Sequence, residues 1–163
     1  AAVIASKFTD TILVDTIVCM DGTEVIGAYL AQLFEKNSLM STTNLHGTIY
    51  VVSPEFNSNN QMIFRDNNVP AIRGKHVLLL LATTTTGLTI RRCLECVQYY
   101  GGVVEGIASV FSTVEQVEGY PVESVFNEED LPGYAAYPQK ECPFCKAGHP
   151  LEAMVNGFGY SKL

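Results

Sequence analysis

The sequence is short of basic residues. It contains 10 lysines and arginines against 17 aspartates and glutamates, and its formal net charge is −7. Proteins that bind nucleic-acid phosphates present clustered lysines and arginines, whereas only Arg91 and Arg92 are adjacent here. We therefore expect no nucleic-acid partner.

Long hydrophobic runs are also missing. The longest one, Val77–Ala82, is far too short to span a bilayer. The first residues lack the basic region of a signal peptide, and the five cysteines do not follow the pattern of a small secreted scaffold. These absences predict a cytoplasmic protein in a reducing compartment, with no membrane partner.

What the sequence does contain is the composition of a globular domain. Hydrophobic residues make up 47% of the 163 positions and charged residues 17%, and a chain of this length forms one domain with a sizeable core. We predict an α/β core over residues 1–126. We predict a loop-rich C-terminal segment of the same domain over residues 127–163, because prolines are spread along it: Pro132, Pro138, Pro143 and Pro150.

The first half of the chain alternates between strand and helix patterns. Thr11–Met20 is rich in β-branched residues and predicts a strand. Glu24–Lys36 has apolar residues at helical spacing and predicts a helix. Thr48–Val52 predicts a second strand. The polar, asparagine-rich stretch Ser53–Val69 predicts a loop or a poorly paired hairpin.

The second half continues the alternation. The aliphatic run Val77–Leu81 predicts a strand that is buried on both faces, as in a parallel sheet. Leu88–Tyr100 predicts a helix that ends at Gly101 and Gly102. Val103–Phe111 and Pro121–Phe126 predict two more strands. This order predicts a doubly wound α/β fold, with a mostly parallel sheet flanked by helices.

A threonine-rich stretch, Thr83–Thr89, joins the buried strand to the following helix; we call it the threonine segment. Ligands of open α/β sheets bind at the carboxyl ends of strands, and a helix N-terminus there suits a phosphate. Threonine hydroxyls add donors, and glycine permits a tight turn. The alternative is that the threonines only cap the helix. The candidate phosphate-binding residues are Thr83, Thr84, Thr85, Thr86, Gly87 and Thr89.

Three stretches resemble the type I phosphoribosyltransferase family. Val77–Thr89 resembles the family's phosphoribosyl-pyrophosphate motif, and Ile17–Ala31 resembles its strand, pyrophosphate loop and following helix. Tyr137–Leu151 resembles a Cys-Pro-x-Cys-x-x-Gly-x-Pro segment of some orotate phosphoribosyltransferases. The likeness extends from about Asp15 to Leu151, which is most of the chain.

The resemblance implies transfer of a phosphoribosyl group to a pyrimidine base such as orotate. The implied ligand is phosphoribosyl pyrophosphate or a nucleotide, and the implied assembly is a homodimer. The pyrophosphate-loop positions would be Asp21, Gly22, Thr23 and Glu24, and Arg65 would be the catalytic cation. From the residues alone, Asp21 or Thr23 could equally cap the helix that follows.

The family motif is degenerate at its two acidic positions. In the family, this pair holds the ribose hydroxyls and helps to organise Mg²⁺, but here the positions are Leu81 and Ala82. Neither side chain offers an oxygen ligand, so we expect Mg²⁺ binding to be weakened. This change favours the alternative of a non-catalytic regulator or assembly subunit that binds a nucleotide or a sugar phosphate.

Two Cys-x-x-Cys pairs remain: Cys93 with Cys96, and Cys142 with Cys145. Paired motifs of this kind are often zinc sites, and His149 could add a ligand. The helix position of Cys93 and Cys96 favours simple packing instead. For Cys142 and Cys145, metal binding, a structural or redox role, and plain loop structure remain open, and we assign no metal ligand.

Overall fold

The computed structural model describes residues 1–8, 12–36, 48–59, 61–138, 140–156 and 159–163. Within them, the helices are α1 (Ala2–Phe8), α2 (Glu24–Lys36), α3 (Leu88–Tyr99) and α4 (Pro143–Lys146). The strands are β1 (Thr16–Cys19), β2 (Tyr50–Val52), β3 (Glu55–Phe56), β4 (Met62–Ile63), β5 (His76–Thr84), β6 (Val103–Ser112), β7 (Gln116–Val117), β8 (Tyr120–Phe126), β9 (Ala153–Asn156) and β10 (Gly159–Lys162).

The central sheet has six strands in the order β2-β1-β5-β6-β8-β7. Every neighbouring pair is parallel except β7 and β8, which form an antiparallel edge. Helices flank the sheet, so the structure confirms the predicted α/β class. Parallel strands place their carboxyl ends at one edge of a sheet, and β1 and β5 are direct neighbours there.

Strand β5 is buried on both faces, as its unbroken aliphatic run predicted. Val77, Leu79 and Leu81 pack into the cluster that contains the buried residues of α3. Leu78 and Leu80 pack into the opposite cluster, with α1 and α2. All five side chains are inaccessible to solvent. Burial of each contributes roughly 1.5–3 kcal/mol, so β5 is the centre of the core.

The predicted elements differ from the observed ones mainly at their ends. The strand predicted from Thr11 begins only at Thr16, where pairing with β2 and β5 starts, and Thr11 itself lies outside the described residues. Ser53–Val69 contains a short hairpin of β3 and β4 with two residue pairs. The helix before Gly101 ends as predicted, because Gly101 takes a positive φ of 81° and its N–H donates to the Gln98 carbonyl at 2.9 Å.

The C-terminal segment contains more regular structure than its prolines suggested. It holds α4 and an antiparallel hairpin of β9 and β10, which form a sheet of their own. All four residues of β10 are exposed, so this strand has no alternation of buried and exposed residues. Sequence reasoning therefore missed the hairpin. Among the described residues, the longest helix has 13 residues, and none is both long and apolar enough to cross a membrane.

Candidate functional site

A cavity of about 470 Å³ lies at the carboxyl end of β5. The residues that line it are Asp21, Ala82, Thr83, Thr84, Thr85, Thr86, Gly87, Leu88, Thr89 and Val155. The whole threonine segment therefore borders one cavity, together with the loop after β1 and one residue of β9. The lining contains no lysine or arginine among the described residues, so an anion here would be held by N–H groups and hydroxyls.

The threonine segment divides into a strand end and a turn. Thr83 and Thr84 belong to β5 and pair with Phe111 and Ser112 of β6, so they are strand residues rather than loop residues. The turn itself is confined to residues 85–87. Strand pairing does not remove the first two threonines from the cavity, because both of them still line it.

Gly87 gives the turn its shape. It is the residue before α3 and has a left-handed φ of 72°, which a side chain disfavours. A Cβ atom at this position would lie 2.7 Å from Cγ2 of Val117, so the site also lacks room for one. Among the residues that the structure describes, no side chain caps α3. The N-cap residue of α3 is thus a glycine and not a threonine, and the N-terminus of α3 borders the cavity, whereas anion binding there stays a prediction.

Thr113 holds the turn in place, and sequence reasoning did not identify it. Its backbone N–H donates to the Thr84 carbonyl at 2.9 Å, and its hydroxyl donates to the Thr85 carbonyl at 2.7 Å. Thr113 directly follows β6, whose carboxyl end lies beside that of β5. In the sequence, the available signal was that Thr113 follows a predicted strand. Whether that strand ends beside β5, however, depends on the order of strands in the sheet.

The pyrophosphate-loop positions have different environments. Asp21 and Gly22 have positive φ values of 57° and 78°, and the Thr23 N–H donates back to the Met20 carbonyl at 3.2 Å, as in a type I′ turn. Of the four positions, only Asp21 lines the cavity. Glu24, at the start of α2, instead accepts a hydrogen bond from the Ser53 hydroxyl at 2.7 Å.

Thr23 is a structural anchor in this turn. Its side chain is buried, and its hydroxyl donates to the Met20 carbonyl at 2.8 Å and the Leu80 carbonyl at 3.1 Å. These bonds join the turn to the end of β5. Thr23 thereby holds the turn that carries Asp21 against the strand that leads into the threonine segment.

Arg65 lies outside the cavity lining. Its Nε and Nη2 donate to the two carboxylate oxygens of Glu55, each at 2.7 Å, and this bidentate contact lowers the pKa of the Glu55 carboxyl. Both side chains are exposed, and exposed ion pairs contribute little to stability. The role of Arg65 as the catalytic cation stays a prediction that would require release from Glu55.

The two degenerate positions of the motif face different surroundings. Leu81 is inaccessible to solvent and packs in the core, whereas Ala82 lines the cavity. Among the described residues, Asp21 is the only carboxylate in the lining, and no group of three or more side chains could hold a metal ion. The lining therefore offers Mg²⁺ one carboxylate, and a bound ion would take its other oxygen ligands from water and from the phosphates of a ligand, so the expectation of weakened Mg²⁺ binding stays a prediction.

The carboxyl of Asp21 is partly desolvated. Although the residue as a whole is exposed, the surrounding turn removes part of the carboxyl's hydration and raises its pKa. A negative charge at this position opposes an anion in the same cavity.

Cys93 and Cys96 pack as small apolar residues. Both are buried on α3, and burial raises the pKa of the Cys93 thiol to about 12 and that of Cys96 to about 11. The Cys96 thiol contacts the Met62 carbonyl at 3.5 Å. The two pairs form no common ligand group among the described residues. The zinc alternative of four cysteines thus finds no support.

Comparison with known proteins gives one consistent set of relatives. The chain is 29% identical over 142 residues to the orotate phosphoribosyltransferase of Thermotoga maritima, covering 79% of this chain and 74% of the relative. It is 30% identical over 96 residues to that of Caldanaerobacter subterraneus subsp. tengcongensis, covering 53% of this chain and 48% of the relative. No protein-family model matches the chain.

Solved structures agree on the fold. A purine phosphoribosyltransferase from Pyrococcus horikoshii has a TM-score of 0.50 and 16% identity, covering 83% of this chain and 88% of that one. A hypoxanthine phosphoribosyltransferase from Staphylococcus aureus has a TM-score of 0.51 and 14% identity, covering 82% of this chain and 70% of that one. The chain thus has the type I phosphoribosyltransferase fold, and in sequence it resembles the orotate phosphoribosyltransferases.

Proposed function

We propose that this chain binds the 5′-phosphate of phosphoribosyl pyrophosphate or of a nucleotide in the threonine segment. The observation that carries the proposal is the left-handed Gly87, which leaves the N-terminus of α3 without a side-chain cap at a 470 Å³ cavity. Free N–H groups and the helix dipole together favour an anion. The hydroxyls of the lining threonines supply further donors.

We propose orotate as the base and slow phosphoribosyl transfer as the reaction. The support is the sequence resemblance to orotate phosphoribosyltransferases and the Tyr137–Leu151 segment. In such a transfer the ribose C1–oxygen bond to pyrophosphate breaks, a bond from C1 to a ring nitrogen forms, and positive charge develops on the sugar. Here the chain would act mainly by holding the 5′-phosphate in position. Without carboxylates at Leu81 and Ala82, we expect turnover several orders of magnitude below that of an intact motif, since each charge-assisted hydrogen bond contributes roughly 1.5–3 kcal/mol.

The assembly and location follow as further proposals from the same resemblance. We propose that the chain forms a homodimer and that it is located in the cytoplasm. Sedimentation velocity of the purified chain would test the dimer, and a monomer at all concentrations would contradict it. A non-catalytic regulator remains the alternative function, but none of the relatives supports it.

Calorimetric titration separates these functions. We expect ribose 5-phosphate and phosphoribosyl pyrophosphate to bind with similar affinities, and added Mg²⁺ to change them little, because the lining offers one carboxylate. Unphosphorylated ribose is the matched control ligand and should not bind. Failure of ribose 5-phosphate to bind would contradict the phosphate site itself, whereas binding without any conversion of orotate would leave the non-catalytic alternative.

Asp21→Asn should strengthen binding of ribose 5-phosphate about three- to tenfold at low salt. The substitution removes one negative charge from the cavity lining, and such a charge near a solvated anion costs on the order of 1 kcal/mol. The gain should shrink in high salt because the interaction is screened. An unchanged affinity, measured by the same titration, would place the phosphate away from Asp21.

The raised pKa of Asp21 also predicts how the stability of the folded state changes with pH. The folded state binds this proton more tightly than the unfolded chain, so the free energy of unfolding should fall as pH rises from the ordinary carboxyl pKa to the raised one. Asp21→Asn should remove that part of the pH dependence, as measured by denaturant unfolding over the acidic range.

A further inference from the structure

The second Cys-x-x-Cys pair lies in an ordered surface turn. Cys142 immediately precedes α4, and its N–H donates to the Pro138 carbonyl at 3.0 Å. The Cys142 carbonyl accepts from the Lys146 N–H at 3.2 Å, and the Cys145 carbonyl accepts from the Gly148 N–H at 3.2 Å. These bonds hold both cysteines in one turn of backbone, with Cys145 exposed and Cys142 partly exposed.

Cys142 and Cys145 are three positions apart around the first turn of α4, a spacing that places two side chains on the same side of a helix. Hydrogen bonding from the backbone N–H of Cys145, from the Cys145 thiol and from the backbone N–H of Phe144 favours the thiolate of Cys142 and lowers its pKa. The ammonium of Lys146 adds a positive charge nearby. These contacts stabilise the Cys142 thiolate and lower its pKa, while the proximity of Cys142 raises the pKa of Cys145.

Aromatic rings pack around Phe144, which is part of this turn. Phe144 makes edge contacts with Tyr137 and His149, with ring centroids 6.2 Å and 6.1 Å apart. The imidazole of His149 thus lies against a phenyl ring. The rings support the turn without covering the cysteines, which remain accessible to a reagent from solution.

The other three cysteines have the opposite environment. Cys19, Cys93 and Cys96 are buried, and burial raises the pKa of each thiol to about 11 or 12. Such thiols are inert towards oxidants and disulfides in the folded protein. The chain therefore contains one accessible, activated pair and three protected thiols, which serve as internal controls.

We propose that Cys142 and Cys145 form a reversible dithiol–disulfide site that exchanges with low-molecular-weight disulfides. The Cys142 thiolate attacks one sulfur of the small disulfide, a mixed disulfide forms, and one small thiolate leaves. Cys145 then loses its proton and attacks the Cys142 sulfur, the intramolecular disulfide forms, and the second small thiolate leaves. Two protein thiols are oxidised and one disulfide is reduced to two thiols, so electrons and protons balance.

A redox site fits this pair better than a metal site does. The described residues hold no group of three or more potential ligands, so two sulfurs would have to bind a metal without further protein ligands. A disulfide needs only the two sulfurs. In a reducing compartment such an accessible disulfide is transient and responds to the redox state of the cell. The proposal does not depend on phosphate binding.

The test is treatment of the full chain with glutathione disulfide, followed by alkylation of the remaining thiols and mass spectrometry. We expect loss of two hydrogens between Cys142 and Cys145, with the three buried cysteines still alkylated after denaturation. Cys145→Ser should accumulate a stable mixed disulfide on Cys142, because the resolving thiol is gone. Cys142→Ser should leave Cys145 reduced over the same period.

Several outcomes would overturn the proposal. These are equal modification of all five cysteines, a mixed disulfide that persists in the unmodified chain, and faster reaction of Cys145 than of Cys142. Stoichiometric zinc binding that blocks alkylation of both residues would replace it with a metal site. Both substitutions lie at the surface, and a far-ultraviolet spectrum equal to that of the unmodified chain would show that each variant is folded.

Discussion

Gly87→Val should abolish binding of ribose 5-phosphate and lower the free energy of unfolding by about 2–4 kcal/mol. Gly87 has a φ of 72°, in the region where a β-branched residue is most strained. The new Cβ would also lie 2.7 Å from Cγ2 of Val117, so the turn must move away from β7. Since the first-turn N–H groups of α3 follow this turn, their positions around an anion would be lost.

Gly133→Val is the matched control for this experiment. Gly133 also has a positive φ, of 84°, but none of the described atoms lies within 4 Å of the Cβ position, and the residue does not line the cavity. The control should lose only the free energy of unfolding that a side chain at positive φ costs, about 1–2 kcal/mol. It should bind ribose 5-phosphate normally. Calorimetry and denaturant unfolding of both variants measure the two effects, and normal binding by Gly87→Val would contradict the assignment of the phosphate site.

The second large effect concerns the two degenerate positions of the motif. Leu81→Asp should lower the free energy of unfolding by roughly 3–5 kcal/mol, because a carboxylate would be placed in the core without a partner. Ala82→Asp should fold, since Ala82 borders the cavity. It would add a second carboxylate to a lining that already contains Asp21, which creates oxygen ligands for Mg²⁺.

Ala82→Asp should therefore make the binding of phosphoribosyl pyrophosphate depend on Mg²⁺. We expect at least about a tenfold gain in affinity on adding the metal, because one charge-assisted contact contributes roughly 1.5–3 kcal/mol. Without metal, affinity should fall through repulsion. Ala82→Asn, of similar shape but neutral, is the control and should show neither change. Titrations that reveal no effect of Mg²⁺ on Ala82→Asp would mean that Ala82 and the ligand do not share the cavity.

Leu81 and Ala82 show that neighbouring positions of one sequence motif can have different structural roles. As adjacent positions of one motif, Leu81 and Ala82 suggest one lost pair of ligands. In the structure, the pleat of β5 sends them to different surroundings, because successive side chains of a strand point to opposite faces. Restoration of the acidic pair would therefore require changes in the core around position 81, whereas position 82 can accept a carboxylate directly.

The pyrophosphate-loop positions show the same limit. Asp21 and Thr23 could each cap α2 or contact a ligand, and sequence reasoning weighed these roles equally. Side-chain contacts separate them: Asp21 lines the cavity, and the buried hydroxyl of Thr23 is hydrogen-bonded to the Met20 and Leu80 carbonyls. The Leu80 contact joins residues 57 positions apart, so no local pattern could have predicted it.

By itself, the sequence determined the α/β class, the doubly buried strand β5 and the end of α3 at Gly101. Each of these follows from hydrophobic periodicity or from the backbone freedom of glycine, which are local properties. Only the tertiary structure decided that Leu81 lies in the core, that Thr113 holds the threonine segment, and that Cys142 and Cys145 share one hydrogen-bonded surface turn. These are matters of strand register, pleat and turn geometry, which arise when distant elements pack together.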